Sequence, residues 1–334
     1  MEPKQMAKKV VKKEFPNRET VAIYPAEGGF AHDTFFIDFE EDSFVLKING
    51  LADLVEKQNT DWNARFETEP YVLDSIHQET CVPVPECVAR DTSESTIPEY
   101  YHILRKMKGY APAESSSKTA FRDLGEDTKK RILHQVGENI ANLHQIQFED
   151  FGEVRVGNKE LTIEKVGGWS DLFKEMISFW IDQVEGGEFD DLVPEIRKAV
   201  ESNLYLIENV ETPVLVHREI DTKNILVEEG ELSAILDWEA CVAGHGEFDL
   251  ATTEGRMIAH SFSTDSVWEK YRKELYNGYE NVRNLEDGWE ERRQLYLLYP
   301  MTLEMAFHSK KSPNTEEVIK NRTRKILDNF HHRN

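Results

Sequence analysis

The first third of the chain alternates short apolar runs with acidic or glycine-containing breaks. Apolar runs at 34–39 and 43–48 are separated by the three acidic residues at 40–42, and adjacent glycines interrupt the segment 27–32 before them. Runs of about four to eight aliphatic, β-branched and aromatic residues around a tight turn are typical of a β-hairpin. We therefore predict a small antiparallel sheet here, with a further strand at 21–24 in front of the glycines.

Farther along the chain, the apolar positions recur with the period of an α-helix. The stretches 132–143, 172–184 and 192–207 show this spacing, and two glycines at 186–187 end the second of them. The last stretch, from 268 to 299, mixes aromatic residues with many glutamates and is also predicted to be helical. Most of these apolar positions are interpreted as core.

A polar loop and a second hairpin lie between these helical stretches. The polar residues 217–224 precede two apolar runs, at 225–227 and 232–236, and the acidic turn between those runs closes on Gly230. This is the pattern of a three-residue hairpin loop. Such a hairpin would bring Asn224 and Asp237 close together, and two hard oxygen ligands suit Mg²⁺ better than a soft metal.

The polar loop and hairpin resemble the catalytic and metal-binding segment of the aminoglycoside phosphotransferase and choline kinase-like superfamily. In that family a histidine is followed after two positions by the catalytic aspartate and after seven by a metal-binding asparagine, and a metal-binding aspartate ends the next strand. His217, Asn224 and Asp237 match at those spacings. Two positions depart from the pattern: Glu219 stands where the family has aspartate, and Arg218 where it usually has glycine.

The resemblance implies an α+β, two-lobed protein-kinase-like fold. Residues 1–106 would form the N-lobe, a small antiparallel nucleotide-binding sheet with a helix. Residues 107–334 would form a larger, mainly helical C-lobe with the catalytic loop, the metal-binding hairpin and the acceptor pocket. A proline-marked segment at 82–88 would lead into an edge strand of the N-lobe, and the run at 101–109 would provide the strand and linker between the lobes.

The resemblance also implies roles for the residues of the polar loop. ATP and Mg²⁺ would be the cofactors, with Asn224 and Asp237 as metal ligands. Glu219, just after His217, would orient or deprotonate an acceptor hydroxyl. Arg218 would neutralise transferring charge or pair with a structural carboxylate, and Asp221 is a fallback carboxylate.

Lys47 interrupts an apolar strand in the predicted sheet. An unpaired ammonium is costly to bury, so its partner would be a phosphate or a carboxylate, unless the side chain faces solvent, as strand periodicity equally allows. The resemblance implies that Lys47 contacts the phosphates of ATP. The adjacent Gly28 and Gly29 would let backbone amides approach the phosphates closely, although glycine pairs more often mark ordinary turns.

Glu69 occupies the place of the helix glutamate that pairs with this lysine in the family. Pro70 would kink the helix or force Glu69 out of it, which leaves Glu67 as an alternative. The resemblance further implies that the linker binds the adenine edge through backbone groups. Those groups would come from Leu104, Arg105 and Met107.

Two residues outside the polar loop are interpreted as structural. His144 closes a helix and is more often a satisfied buried histidine than a ligand. Asp249 would cap the start of a helix and support the catalytic loop.

The chain has 334 residues and a formal net charge of −23. This charge argues against nucleic acid and anionic membranes as partners, because both need basic surfaces. It agrees either with general solubility or with a cationic small-molecule acceptor. Carboxylates among aromatic residues would suit an amine, and the nominees for the acceptor pocket are Asp287, Glu290, Glu291 and Glu304. An acidic solvated face over an aromatic core would explain the same pattern.

The cysteines and the N-terminal segment indicate a cytoplasmic protein. Cys81, Cys87 and Cys241 lack the spacing of a metal site and are predicted to be free thiols. Residues 1–13 do not resemble a signal peptide, and no apolar run approaches the roughly 20 residues that span a bilayer.

The sequence therefore favours ATP-dependent phosphorylation of a small-molecule hydroxyl, with an aminoglycoside, choline, or a sugar or amino alcohol as the acceptor. The alternative is a nucleotide-binding pseudokinase with a regulatory or scaffolding role, in which Glu219 marks the loss of catalysis. The presence of Lys47, Asn224 and Asp237 argues against that alternative. A protein kinase is disfavoured because Trp238 and Glu239 follow Asp237 and no recognisable activation segment comes after them.

Overall fold

The computed structural model describes residues 1–26, 32–50, 62–114, 116–259, 261, 265–308 and 313–331. The chain forms two compact units. The first unit consists of Met1–Gly109, Val154–Thr162 and Ser233–Ala240. The second consists of Tyr110–Glu153, Ile163–Leu232 and Cys241–Asn334. The functional assignment of the lobes to 1–106 and 107–334 remains a prediction.

The first unit is built on a five-stranded antiparallel sheet in the order β1-β2-β3-β5-β4. Its strands are β1 (Ala22–Pro25), β2 (His32–Asp38), β3 (Ser43–Asn49), β4 (Cys87–Asp91) and β5 (Tyr101–Arg105). The predicted hairpin, the strand in front of the glycines and the edge strand are therefore confirmed.

The two faces of β3 are used differently. Phe44, Leu46 and Ile48 are at most 3% exposed and belong to the core of this unit. The apolar side of helix α1 (Pro3–Glu14) contributes to the same core. Because successive side chains of a strand point to opposite faces, Lys47 lies on the other face of the sheet.

Helix α2 (Trp62–Glu79) continues through Pro70. The expectation that Pro70 would force Glu69 out of the helix is therefore wrong. A proline in a helix interior costs about 3 kcal/mol because it lacks an N–H and its ring crowds the preceding turn. Here Glu69 is held in place by contacts with three other segments of the first unit, which are described below.

The second unit is mainly helical, as predicted. Its helices are α3 (Glu126–Leu143), α4 (Trp169–Val184), α5 (Val193–Asn203), α6 (Gly246–Thr253), α7 (Asp265–Glu280), α8 (Trp289–Phe307) and α9 (Pro313–His331). A π-helical turn, Glu254–Ala259, follows α6 directly. Strands β6 (Gly152–Gly157) and β7 (Glu160–Lys165) lie between α3 and α4 in the sequence.

Short strands surround the predicted polar loop. Strand β8 (Val214–Val216) enters the loop and pairs antiparallel with β11 (Val242–Gly244). The loop is followed by the hairpin of β9 (Ile225–Glu228) and β10 (Glu231–Ile235). Its turn contains two residues, not three, because Glu229 and Gly230 both have positive φ angles, of 53° and 82°. Positive φ at both central positions is the geometry of a type I′ turn, which matches the twist of paired strands.

Helices α3 and α7 approach each other closely at glycine residues. A Cβ atom at Gly137 would lie 2.0 Å from the carbonyl oxygen of Leu275, and one at Gly278 would lie 2.0 Å from that of His134. This contact brings α7 beside the C-terminal end of α3, where His144 is located. Within the described ranges, no helix is both long and apolar enough to cross a membrane.

Candidate functional site

Lys47 lies in a buried cluster of charges in the first unit. Its Nζ atom is 2.6 Å from Glu69 Oε2 and 3.4 Å from Asp237 Oδ1, and its side chain is 12% exposed. The interpretation of Lys47 as a solvent-facing lysine is therefore wrong. Of the two carboxylates considered as its partner, Glu69 and Glu67, the structure places Glu69 against the ammonium.

Glu69 is held from three directions. Besides Lys47, its carboxylate accepts a hydrogen bond from the backbone N–H of Trp238 at 3.2 Å, and its Oε2 atom lies 3.0 Å from His102 Nε2. Burial alone would raise the pKa of Glu69, but Lys47 and His102 outweigh it and hold that pKa well below its usual range. Burial lowers the pKa of His102, which favours its neutral form. Glu69 is therefore a carboxylate that stays ionised although it is buried.

A second buried pair lies in the same cluster. His32 Nε2 is 2.7 Å from Glu239 Oε2, and the two side chains are 4% and 9% exposed. Burial opposes the charge of Lys47, but Glu69, Asp237 and Glu239 outweigh it and raise the lysine pKa above its usual value. The cluster thus holds a permanent positive charge among three carboxylates.

Three residues of this cluster were not predicted from the sequence: His32, His102 and Glu239. A signal for His102 was available in the strand pairing, because His102 lies directly opposite Lys47 in the β3–β5 register. Glu239 lies two positions after Asp237, but nothing in the sequence indicated that it would reach the start of β2. That contact depends on the tertiary fold.

The remaining predicted nucleotide-binding residues are only partly described. Gly28 and Gly29 lie outside the described residues. Leu104 is buried inside β5 between two neighbouring strands, and the N–H of Arg105 donates to Glu86 O. Met107 lies beyond the end of β5. Their contact with adenine remains a prediction.

In the second unit, Asp249 organises the backbone of the polar loop. Its Oδ2 atom accepts the N–H of His217 at 2.9 Å, and its Oδ1 atom accepts the N–H of Arg218 at 2.8 Å. The prediction that Asp249 supports this loop is confirmed by these bonds. The prediction that it caps its own helix is wrong, because the helix starts at Gly246 and the carboxylate is used by the loop instead.

Arg218 has a φ angle of 71°, in the left-handed region. Glycine reaches this region without the cost of about 1–2 kcal/mol that other residues meet there, which explains why glycine suits this position. The guanidinium is buried, with Nη1 at 3.0 Å from Met176 Sδ and 4.0 Å from Glu153 Oε1. It is therefore directed at a thioether and a more distant carboxylate.

His144 supports Asp249 from behind. It is fully buried, its Nε2 atom lies 3.5 Å from Asp249 Oδ2, and its Nδ1 atom lies 3.0 Å from the hydroxyl of Tyr279. Burial lowers the pKa of His144. The structural role predicted for this histidine is in keeping with these contacts.

Glu219 and Asn224 are connected through the backbone. The Nδ2 group of Asn224 donates to the carbonyl of Glu219 at 2.9 Å, and the N–H of Glu219 donates to His217 Nδ1 at 3.2 Å. Because Asn224 uses its amide nitrogen within the loop, its amide oxygen is the group left to bind a ligand.

Asp221 is engaged in the loop by three donors. Its Oδ1 atom accepts the N–H groups of Lys223 at 2.7 Å and of Asn224 at 3.2 Å. Its Oδ2 atom accepts a hydrogen bond of 2.7 Å from Arg256. Both oxygens of Asp221 are therefore occupied by donors of the chain, and which of Glu219 and Asp221 faces an acceptor hydroxyl remains a prediction.

Asn224 belongs to the second unit and Asp237 to the first, so their convergence on one ion remains a prediction. Their donor atoms, an amide oxygen and a carboxylate, are the hard ligands that Mg²⁺ prefers. Among the nominees for the acceptor pocket, Glu290 is paired with Arg272 at 2.9 Å and with Arg293 at 3.3 Å. The roles of Asp287, Glu291 and Glu304 also remain predictions.

Comparison with known proteins gives one family and a consistent set of relatives. The family model described as "Phosphotransferase enzyme family" matches residues 23–295. A probable ketoamine kinase from Vibrio vulnificus is 23% identical over 278 residues, which cover 81% of this chain and 82% of that protein. The hygromycin-B 4-O-kinase of Escherichia coli is 22% identical over 224 residues, 65% of this chain and 57% of that protein.

Solved structures show the same fold. A candidate fructosamine-3-kinase from Thermobifida fusca superposes with a TM-score of 0.65 at 16% identity, covering 97% of this chain and 98% of that one. A variant of aminoglycoside phosphotransferase APH(4)-Ia, solved with ADP and hygromycin B, superposes with a TM-score of 0.58 at 14% identity, covering 96% and 97%. The predicted α+β kinase-like fold is therefore confirmed.

Proposed function

We propose that this protein transfers the γ-phosphoryl group of ATP to a hydroxyl with the help of Mg²⁺. The chain belongs to the phosphotransferase enzyme family and is therefore a small-molecule kinase. The observation that carries the proposal is the buried contact between Lys47 and Glu69, with Asp237 in the same cluster. A lysine that stays charged beside a fixed carboxylate is suited to bind a polyphosphate, because its charge and position do not depend on the ligand.

Lys47 would bind the α- and β-phosphates of ATP. Glu69 holds the ammonium at 2.6 Å, so the lysine side chain is already ordered before a nucleotide binds. Gly28 and Gly29 would approach the phosphates with backbone N–H groups, and Leu104, Arg105 and Met107 would contribute the backbone contacts to adenine.

Asn224 and Asp237 would hold Mg²⁺, which would neutralise charge on the phosphates when bound. The fit rests on the donor set: Asn224 directs its amide nitrogen into the loop, and Asp237 supplies a carboxylate whose side chain is 39% exposed. Both are hard oxygen donors.

Glu219 would orient the acceptor hydroxyl and accept its proton. In the transfer, the bond between the γ-phosphorus and the β,γ-bridging oxygen breaks, and a bond from that phosphorus to the acceptor oxygen forms. ADP leaves with the bridging oxygen. Positioning and charge neutralisation supply most of the rate in such reactions, so a glutamate in place of aspartate is compatible with turnover.

The acceptor would be a hydroxyl of an amine-bearing sugar derivative. The relatives named above act, by their names, on ketoamines and on an aminoglycoside. The acidic residues predicted for the acceptor side, among them Asp287, Glu291 and Glu304, would attract an ammonium group. The net charge of −23 favours a cationic acceptor in the same way.

The test is a Mg²⁺-dependent assay of ADP release with a panel of ketoamines, aminoglycosides, choline and neutral sugars. We expect transfer to at least one amine-bearing sugar, and a loss of turnover of about 100-fold or more in Glu219→Gln with ATP affinity unchanged, since a general base contributes about 100- to 10,000-fold. Full activity of Glu219→Gln would contradict the role of this carboxylate.

A nucleotide-binding pseudokinase is the second candidate, because Glu219 stands where the family has aspartate. ATP binding by the wild-type protein without transfer to any acceptor in the panel would favour it. Calorimetric titration with ATP and Mg²⁺ provides the binding measurement that separates the two outcomes.

A further inference from the structure

A partly buried arginine contacts the polar loop from a distant part of the sequence. Arg256 Nη2 donates to Asp221 Oδ2 at 2.7 Å, and the side chains of the two residues are 19% and 13% exposed. Nothing in the sequence pattern indicated this pair, which joins residues 35 positions apart.

Arg256 is delivered by an unusual backbone segment. It lies in the π-helical turn Glu254–Ala259, and single π-helical turns inside helices are rare and frequent at functional sites. The turn passes close to α8: a Cβ atom at Gly255 would lie 2.5 Å from Pro300 Cγ. Only glycine fits at that distance, so close packing against α8 fixes the position of the backbone just before Arg256.

The residue before the glycine anchors the turn. Glu254 is fully buried and accepts hydrogen bonds from Arg293 at 2.5 and 2.7 Å, from Trp268 at 2.6 Å and from Tyr276 at 3.1 Å. A carboxylate with four donors from two other helices cannot shift without breaking several bonds. Arg256 is therefore attached to a rigid part of the second unit.

The charge of Arg256 acts on both carboxylates of the polar loop. Burial opposes that charge, but Asp221 and Glu219 outweigh it and raise the arginine pKa above its usual value. The hydrogen bond goes to Asp221. The other carboxylate oxygen of Asp221 accepts the N–H groups of Lys223 and Asn224. Asp221 therefore connects the arginine to the backbone of Asn224.

We propose that Arg256 is a positioning residue for phosphoryl transfer, acting through Asp221 on Asn224 and Glu219. The contacts form one path: Arg256 holds Asp221, Asp221 holds the N–H of Asn224, and the side chain of Asn224 holds the carbonyl of Glu219. This inference rests on the proposed function. It assigns Asp221 to loop geometry and leaves Glu219 as the carboxylate for the acceptor.

The test uses Arg256→Gln, Asp221→Asn, the double variant and the conservative Arg256→Lys. We expect kcat to fall about 30- to 100-fold in Arg256→Gln and in Asp221→Asn, because a displacement of about 1 Å can cost about 100-fold, and to fall less in Arg256→Lys. At saturating Mg²⁺ the KM for ATP should change less than about twofold, since Lys47 belongs to the first unit and is not a contact of Arg256 or Asp221. The loss of kcat in the double variant should be no greater than the loss in the more impaired of the two single variants, because the two residues act as one unit.

A second readout does not depend on turnover. Binding of Mn²⁺ in the presence of ADP, followed by electron paramagnetic resonance, should weaken about 10-fold in Arg256→Gln and Asp221→Asn, as is usual when a residue that orients a metal ligand is removed. Arg256→Lys should give an intermediate affinity, because lysine keeps the charge but not the planar fork of donors. Arg197→Gln, which removes an exposed arginine from α5, is the matched control and should match wild type.

Unchanged kcat and Mn²⁺ affinity in a folded Arg256→Gln protein would overturn the inference. So would losses in the double variant that equal the product of the single losses, since the residues would then act independently. If Arg256→Gln fails to fold, kcat and Mn²⁺ affinity are compared with wild type in Arg256→Lys and Asp221→Asn instead, and unchanged values in both would overturn the inference. If the wild type transfers no phosphoryl group but binds Mn²⁺·ADP, and Arg256→Gln weakens that binding as expected, only the proposed function is contradicted. If the wild type does not bind Mn²⁺·ADP, the inference is overturned as well.

Discussion

The Lys47 cluster of the first unit and the polar loop of the second unit are both charged and partly buried, but they are stabilised in different ways. In the Lys47 cluster, side chains bind side chains: an ammonium lies among the carboxylates of Glu69 and Asp237. In the polar loop, carboxylates mainly bind backbone, as Asp249 and Asp221 each accept two N–H groups.

This difference would serve the two roles proposed for these regions, phosphate binding by the Lys47 cluster and presentation of an acceptor base by the polar loop. A phosphate-binding cluster needs a charge that stays in place, and burial with opposite charges supplies it. A loop that presents an acceptor base needs a fixed backbone, and hydrogen bonds donated by backbone N–H groups to carboxylates supply it. We therefore expect stability and turnover to depend mainly on charge in the Lys47 cluster and mainly on backbone geometry in the polar loop.

The largest effect is expected from Lys47→Met. Removal of the ammonium leaves Glu69 and Asp237 as like charges, and breaking a buried ion pair costs about 3–5 kcal/mol of unfolding free energy. Turnover should fall about 100- to 1,000-fold, as for other fixed charges that stabilise a transition state. Denaturant unfolding and the assay of ADP release measure the two effects.

The matched control for Lys47→Met is Lys165→Met, which removes an exposed lysine paired with Asp150. Its unfolding free energy should change by less than about 0.5 kcal/mol. Wild-type stability in Lys47→Met would show that charge is not what holds the first region together.

Asp249→Asn should have the next largest effect, and it tests geometry without a large change of shape. The amide can accept only one of the two N–H groups and turns its own N–H₂ towards the other. Loss of one buried, charge-assisted bond should cost about 2 kcal/mol, and the displaced loop should lower kcat about 100-fold.

The control for Asp249→Asn is Asp191→Asn, because Asp191 pairs with Lys320 and Arg324 at the surface. Both variants are compared by thermal unfolding and by kcat. Equal, small effects of the two substitutions would contradict the view that the second region depends on backbone geometry.

The smallest effect is expected from pH, through two buried histidines, one in each region. Burial lowers the pKa of His102 and of His144 below the usual 6.5. The unfolded chain then binds more protons than the folded protein below about pH 6.5, so stability is full above that pH and is lost as the pH falls towards the folded pKa values. Each histidine should contribute at most about 1.4 kcal/mol per pH unit.

His102→Gln and His144→Gln should each flatten the loss of stability between about pH 6.5 and 5. Urea unfolding at several pH values measures the slope. An unchanged slope in both variants would mean that these histidines are not the groups that take up the protons.

The polar loop could be located from the sequence because its polar residues lie in one short stretch, while the catalytic and metal-binding roles of those residues remain predictions. His217, Glu219 and Asn224 fall within eight consecutive positions, and the hairpin that follows is indicated by local apolar runs. The two-residue turn was missed because Glu229 has a positive φ angle that glutamate rarely adopts. A local pattern predicts the strands well, but not an unusual backbone angle between them.

The contacts among the charged residues of the first unit were much less predictable than the position of the polar loop. Pro70 argued against Glu69 on local grounds, and contacts with Lys47 and Trp238 outweighed that local cost. His32 and Glu239 are 207 positions apart, and neither has a neighbour in sequence that would indicate the other.

The sequence by itself determined the strand and helix pattern, the position of the polar loop and its hairpin, and the presence of a lysine in an apolar strand. These follow from periodicity and from short-range spacing, which the chain carries locally. Only the tertiary structure decided that Glu69 is the partner of Lys47, that Asp249 holds the loop by its backbone, and that Arg256 engages Asp221. Each of these contacts joins segments distant in sequence, and a buried charge finds its partner only where packing brings such segments together.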